Sequence, residues 1–179
     1  LVDPLPDLML SGINRGANVG IHVFYSGTVA AAAEAAMAGI PSVAFSAAVV
    51  DDREPDFAAV GRCCRSVLEA LLAAGLDPGD LLNVNVPDLR AGPPRGVRCV
   101  PQSVAGFRET YHEAVDDAGR DTYALGGYEA VPSAHETDVE ALAERYVTVT
   151  PLHVDRTRHD RLDALAGTDW RGLADGEGA

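Results

Sequence analysis

The sequence predicts an α/β fold built on a mostly parallel sheet, and three observations carry that expectation. Apolar runs of strand length alternate with helical-period segments through the first half of the chain. Glycine followed by proline marks the helix ends, and a polar, glycine-spaced loop joins the first run to the first helix. The 179 residues suit one domain with a sizeable core, and 47% hydrophobic content argues against global disorder.

Pro6-Asp7-Leu8-Met9-Leu10 reads as the first strand, placed over 7–10. An alanine-rich helix over 28–38 follows Tyr25-Ser26-Gly27-Thr28, and Gly39 stops it with Pro41 just beyond. The apolar run 42–49 is the second strand. Glu54-Pro55-Asp56 opens a helix over 55–74, in which Phe57, Val60, Cys64, Val67, Leu68, Leu71 and Leu72 form one apolar face; Gly75 and Pro78 end it. The third strand covers 81–86, and this alternating order favours right-handed crossovers. From Arg90 the character changes. Ala91-Gly92-Pro93-Pro94 is a linker, 97–100 a short strand, 107–128 an irregular polar stretch around a turn, and 146–150 a returning strand that Pro151 breaks. The acidic end, 171–179, reads as a disordered tail.

The charge balance narrows the partners. All 14 basic residues are arginine and 27 residues are acidic, giving a formal net charge of -13, which repels nucleic-acid polymers. A small anion still binds where a helix dipole or a divalent ion dominates locally. No apolar run is long enough to span a membrane, and no signal peptide is read. Cys63, Cys64 and Cys99 lack metal-finger spacing and leave one over if paired, so a reducing cytoplasm is the expected setting, with Cys64 as a packing residue.

Ser11-Gly12-Ile13-Asn14-Arg15-Gly16-Ala17-Asn18-Val19-Gly20 carries the functional signal. The glycines at 12, 16 and 20 permit positive φ and close backbone approach, while the asparagines offer neutral oxygens to a metal or amide hydrogens to a phosphate. The backbone amides near Ser26 to Thr28 sit at a helix N-terminus, where an anion is favoured. The spacing matches neither the dinucleotide pattern G-x-G-x-x-G nor the P-loop, which needs a lysine. Glu34, inside the helix, is also misplaced for a ribose-binding acid.

These ten residues, with Ser26-Gly27-Thr28-Val29-Ala30-Ala31-Ala32, Gly39-Ile40-Pro41-Ser42, Leu82-Asn83-Val84-Asn85-Val86-Pro87, Asp117-Ala118-Gly119-Arg120 and Tyr146-Val147-Thr148-Val149-Thr150-Pro151-Leu152-His153-Val154-Asp155, resemble the SurE family of survival proteins. The resemblance covers 1–170 as a single domain. It implies a Rossmann-like, three-layer sheet with an extended β arm over approximately 100–135, through which subunits form a homodimer or homotetramer. It also implies a metal-dependent nucleotidase acting on nucleoside 5'-monophosphates, with 3'-monophosphates as a further class, and using one divalent ion, Mg2+ or Mn2+. Asn14 corresponds to a metal ligand, and Asn18, Ser26, Gly27 and Thr28 to the phosphate-binding residues. The family's catalytic acid pair and metal-binding serine fall upstream of the segment matching Leu1, so the chain is expected to be inactive alone.

Other candidates read as structural. Asp51-Asp52 is assigned to capping or a solvated loop, Asp116-Asp117 to a turn, and His22 to the surface, although Ile21-His22 departs from the polar residues many relatives carry there. His153 is expected to make a structural hydrogen bond and Trp170 to pack. Two alternatives stay open: a catalytically empty fragment that acts by association, and a dinucleotide-binding domain.

Overall fold

A computed structural model describes residues 4–105, 107–131, 133 and 135–169, with the side chains of 107–109 and 125–130 left undescribed. Trp170 and the tail 171–179 lie outside the described residues. A five-stranded sheet in the order β1-β2-β3-β7-β4 forms the centre, and β5 and β6 form a separate two-stranded sheet. Strands β1 (Met9–Arg15), β2 (Ser42–Ala47) and β3 (Leu81–Val86) run parallel; β7 (Val147–Leu152) is antiparallel to β3, and β4 (Val97–Cys99) is parallel to β7. The sheet is therefore mixed, with a parallel half that matches the expected strand–helix–strand order.

Helix α1 (Gly27–Met37) is capped by Ser26, whose Oγ accepts from the Val29 N–H at 3.1 Å. It ends where Gly39 takes φ 80°, with the Gly39 and Ile40 N–H groups donating to the Ala36 and Ala35 carbonyls. Helix α2 (Phe57–Ala74) starts at Asp56, which accepts from the Ala58 and Ala59 N–H groups, and stops at Gly75, φ 88°. Strand alternation sorts the sheet into two faces. Val43, Phe45, Ala47, Leu82, Val84, Val86, Val147 and Val149 pack with Val60, Cys64 and Val67 of α2. Ala44 and Leu81 pack with Val29, Ala32 and Ala36 of α1, whose small side chains let the helix lie close. Helix, sheet and helix make three layers.

The structure departs from the sequence expectation in several places. The first strand reaches Arg15 instead of ending at Leu10, because Ser11 pairs with Ala44 and Asn14 with Ser46, the ladder slipping at Gly12 to accommodate the polar segment. The second strand ends at Ala47, and helix α2 begins after Asp56. The stretch 107–128, irregular in its local pattern but a β arm by the resemblance, is a regular antiparallel hairpin of β5 (Phe107–Val115) and β6 (Asp121–Ala130), since Asp116 closes the turn by accepting from the Ala118 and Arg120 N–H groups. Pro151 does not break β7: it lies opposite Leu82, while β4 pairs only with 147–149, so the side lacking an N–H has no ladder to complete. Two short helices, α3 (Asp138–Ala143) and α4 (His159–Ala166), are additional to the expected elements; a capping box of Thr137 and Glu140 opens α3, and α4 buries none of its residues.

Among the described residues no helix is long and apolar enough to cross a membrane. The three cysteines are free; burial pushes the Cys64 thiol up to about 12, helped by neighbouring Cys63, while Cys99 is exposed. A water-soluble thiol reagent at pH 8 should therefore modify Cys99 in the native protein and reach Cys64 only after denaturation. Equal native labelling rates at all three positions, read by mass spectrometry, would contradict this packing.

Candidate functional site

The parallel strands end in register, Arg15 beside Ala47 and Ala47 beside Val86, and the loop leaving β1 begins at this carboxyl edge. Edges of this kind hold ligands in open α/β sheets. Gly12 is required just before it: φ is 111°, and a Cβ there would overlap the Phe45 carbonyl oxygen. Asn14 is half-buried on the strand itself. Its Nδ2 donates to the Gly16 carbonyl at 2.8 Å and the Arg15 carbonyl at 3.2 Å, which leaves Oδ1 without a hydrogen bond among the described residues.

Asn18, whose amide the resemblance assigns to phosphate binding, is 8% exposed, and its Nδ2 donates to Ser46 Oγ at 2.8 Å. Its N–H donates to Asn85 Oδ1 at 2.8 Å, and its carbonyl accepts from Asn83 Nδ2 at 2.7 Å and Asn85 Nδ2 at 3.2 Å. Ser46, Asn83 and Asn85 alternate with apolar residues on β2 and β3, so their polar groups face the α1 side of the sheet as a buried layer. Thr148 and Thr150 of β7 lie opposite Asn85 and Asn83 in the same layer. Asn18 is thus tied to β2 through its side chain and to β3 through its backbone. Asn83 and Asn85 stand out in the sequence only as asparagines in an otherwise apolar strand.

The loop continues through a 3-10 turn, Gly20–Tyr25, to α1. Gly20 is held from the far half of the chain. Its N–H donates to Asp138 Oδ2 at 2.9 Å, and its carbonyl accepts from Gln102 Nε2 at 2.8 Å. Asp138 Oδ1 accepts from the Ser103 N–H at 2.8 Å. Burial pushes the Asp138 carboxyl up, while the backbone N–H groups of Gly20, Ser103 and Val139 pull against it. Asp138 and Gln102 carried no sequence signal as site residues.

Ser26, Gly27 and Thr28 form the first turn of α1, where Gly27 is exposed and the Gly27 and Thr28 N–H groups precede any intrahelical partner. Ser26 also lines a groove of about 270 Å³ with Phe24, Met37, Gln102, His153 and Arg156. A larger hollow of about 480 Å³ opens beside Gly16 and Ala17, with Val50, Asp88, Leu142 and Arg145 around it. Arg15 donates to Asp52 Oδ1 at 2.6 Å and Glu54 Oε2 at 2.9 Å, which fastens the β2–α2 loop to the end of β1. These contacts raise the Arg15 pKa, the Asp52 hydrogen bond most of all.

The remaining candidates keep to the surface or to turns. Asp51 and Asp52 are exposed at φ 54° and 51°, and among the described residues no group of three or more His, Cys, Asp or Glu side chains gathers for a metal. Asp116 pairs with Arg120 across its turn. His153 Nδ1 accepts from the Asp155 N–H at 3.2 Å, a local structural bond, and His22 is half-buried in the 3-10 turn.

Comparison with known proteins gives this arrangement a context. A family model described as survival protein SurE matches residues 1–109. The protein named 5'-nucleotidase SurE from Syntrophobacter fumaroxidans is 43% identical over 167 residues, covering 92% of this chain and 66% of its own length. Its namesake from Rhizorhabdus wittichii is 45% identical over 168 residues, covering 90% and 66%. The crystal structure of the SurE protein from Aquifex aeolicus superposes with a TM-score of 0.77 at 34% identity, covering 97% of this chain and 67% of that one. The chain thus spans 66% of the length of each of these two relatives.

Two substitutions test the local construction. Gly12→Ala should destabilise the fold by about 2 kcal/mol or more, from positive-φ strain and the Phe45 overlap together. Asn18→Ala should cost about 1 to 3 kcal/mol by leaving Ser46 without its donor. Urea unfolding midpoints within experimental error of the parent for both would refute the close approach and the anchor.

Proposed function

Because the chain belongs to the SurE family, we propose that it forms the Asn14 and phosphate-facing part of a metal-dependent phosphomonoesterase site for nucleoside monophosphates. The observation that carries this reading is the carboxyl edge of the parallel strands. Asn14 holds an unengaged amide oxygen there, and the loop that leaves the strand ends in a capped helix with free N–H groups. On this reading the Gly27 and Thr28 N–H groups and the Ser26 hydroxyl receive the phosphate oxygens. Ser26 Oγ accepts from Val29, so its proton is available to a ligand. The helix dipole adds a favourable field for the anion. Asn18 serves by anchoring the loop between these groups.

Asn14 Oδ1 fits one position in the shell of a hard divalent ion, Mg2+ or Mn2+, which takes neutral amide oxygens alongside carboxylates. Such an ion, when bound, polarises the phosphoryl group and lowers the pKa of a bound water. One neutral oxygen is too weak a ligand set to retain it. The reading therefore assigns the carboxylate ligands to the acid pair that the family places upstream of the segment matching Leu1. Subunit contact through the β5–β6 arm belongs to the same proposal, which the exposed Tyr111, Val115 and Tyr123 support. So does a cytoplasmic setting, in keeping with the free cysteines.

In protein carrying this chain with its native flanking sequence, Asn14→Ala should lower phosphate release from AMP at limiting manganese by about 10-fold or more, with melting little changed. Undiminished turnover at every manganese concentration would remove Asn14 from the site. Ser26→Asp keeps a good N-cap but puts a negative charge where the phosphate binds, and should weaken inhibition by inorganic phosphate by about 1 to 3 kcal/mol. An unaltered inhibition constant would place the anion elsewhere.

A further inference from the structure

We propose that Asp138 is the positioning residue of the site: its two carboxylate oxygens lock the loop leaving β1 to the root of the β5–β6 arm, so that loop and arm root hold one geometry. The inference rests on the nucleotidase reading for its catalytic consequence, but its structural part stands on the contacts alone. Asp138 is fully buried, 118 residues from Gly20 in sequence, and lies at the first position of α3. One oxygen takes the Gly20 N–H and the other the Ser103 N–H, at 2.9 and 2.8 Å. Its own N–H donates to the Pro101 carbonyl at 3.0 Å.

The neighbouring contacts converge on the same point. Gln102 Nε2 holds the Gly20 carbonyl, so both polar groups of that residue are fixed from the arm side. Ser103 Oγ lies 3.1 Å from Ser133 Oγ, joining the segment that precedes β5 to the one that follows β6. Asn18 is pinned to the sheet two residues before Gly20, and Ser26 caps α1 six residues after it. Gly20 is therefore the intermediate fixed point between the end of β1 and the N–H groups of α1. A buried carboxylate is the one side chain that can accept two backbone N–H groups from separate segments with charge-assisted strength. Asn at the same position keeps one acceptor and turns an N–H group toward a backbone donor.

Asp138→Asn tests the assignment with two readouts. In the 179-residue chain, hydrogen exchange at the Gly20 amide, compared with Val84 in β3, should accelerate about 10-fold or more while Val84 is unchanged. In protein with its native flanking sequence, kcat for AMP should fall about 10-fold, with inhibition by inorganic phosphate weakened in step. Gln102→Ala loosens the same residue through its carbonyl, leaves Asp138 intact, and should produce a smaller acceleration at Gly20; it decides the matter if Asp138→Asn does not fold. Unchanged Gly20 exchange in both variants would overturn the proposal. So would faster exchange with kcat and phosphate inhibition unaltered, since the loop would then be held without consequence for the site. An inactive parent protein would sink the nucleotidase reading instead, and the exchange result would still uphold or overturn the clamp.

Discussion

The anchoring of Asn18 to the sheet is the constraint on which the functional end of this protein depends. A loop containing Gly16 and Gly20 has a large conformational entropy to lose, and a capped helix N-terminus is useful only if the loop delivers it to a fixed place. Asn83 and Asn85 supply the fixing. Their amides hold the Asn18 carbonyl while Asn85 takes its N–H, so both backbone groups of this residue are bonded to strand β3. Each such bond is worth only about 1 kcal/mol net, but leaving any of these buried groups unpaired costs more than the bond gains. The layer therefore holds a specific geometry more than it adds stability.

That layer is possible because the sheet separates its tasks by face. The α2 face is an unbroken apolar surface of Val43, Phe45, Leu82, Val84, Val86, Val147 and Val149, and it supplies the hydrophobic driving force. The α1 face is apolar where Val29, Ala32 and Ala36 press against Ala44 and Leu81; beside it lie Ser46, Asn83, Asn85, Thr148 and Thr150, all buried. Strand period two lets each of β2, β3 and β7 serve both faces with alternate residues. Loss of a polar partner would therefore be felt at the loop, and loss of an apolar one across the whole sheet.

The second half of the chain completes the first instead of forming a body of its own. Strand β7 lies between β3 and β4, antiparallel to the first and parallel to the second, which adds its threonines to the polar layer. The hairpin β5–β6 pairs only with itself, and a lone two-stranded ribbon is marginal in water, so its root has to be tied. Ser103 and Ser133 tie it, and Asp138 extends the tie to Gly20. The arm and the loop consequently share an anchor.

By itself the sequence determined what local physics controls: the alternation of strands and helices, the glycine stops at 39 and 75, the buried Cys64, and the family through motifs spread along the chain. Pattern and turn chemistry act over a few residues, so they are readable without a fold. Only the tertiary structure decided that Asn14 lies on a paired strand, that Asn18 turns toward Ser46 and the sheet, that 107–128 pairs as a hairpin, and that Pro151 continues β7. It also decided the partnership of Asp138 with Gly20, for which no sequence signal exists. In each of these cases the deciding partner lies outside the local segment or depends on which edge of a strand is covered. Polar residues in a strand or loop carry no mark of whether they will face solvent, a ligand or another buried amide until the sheet assembles.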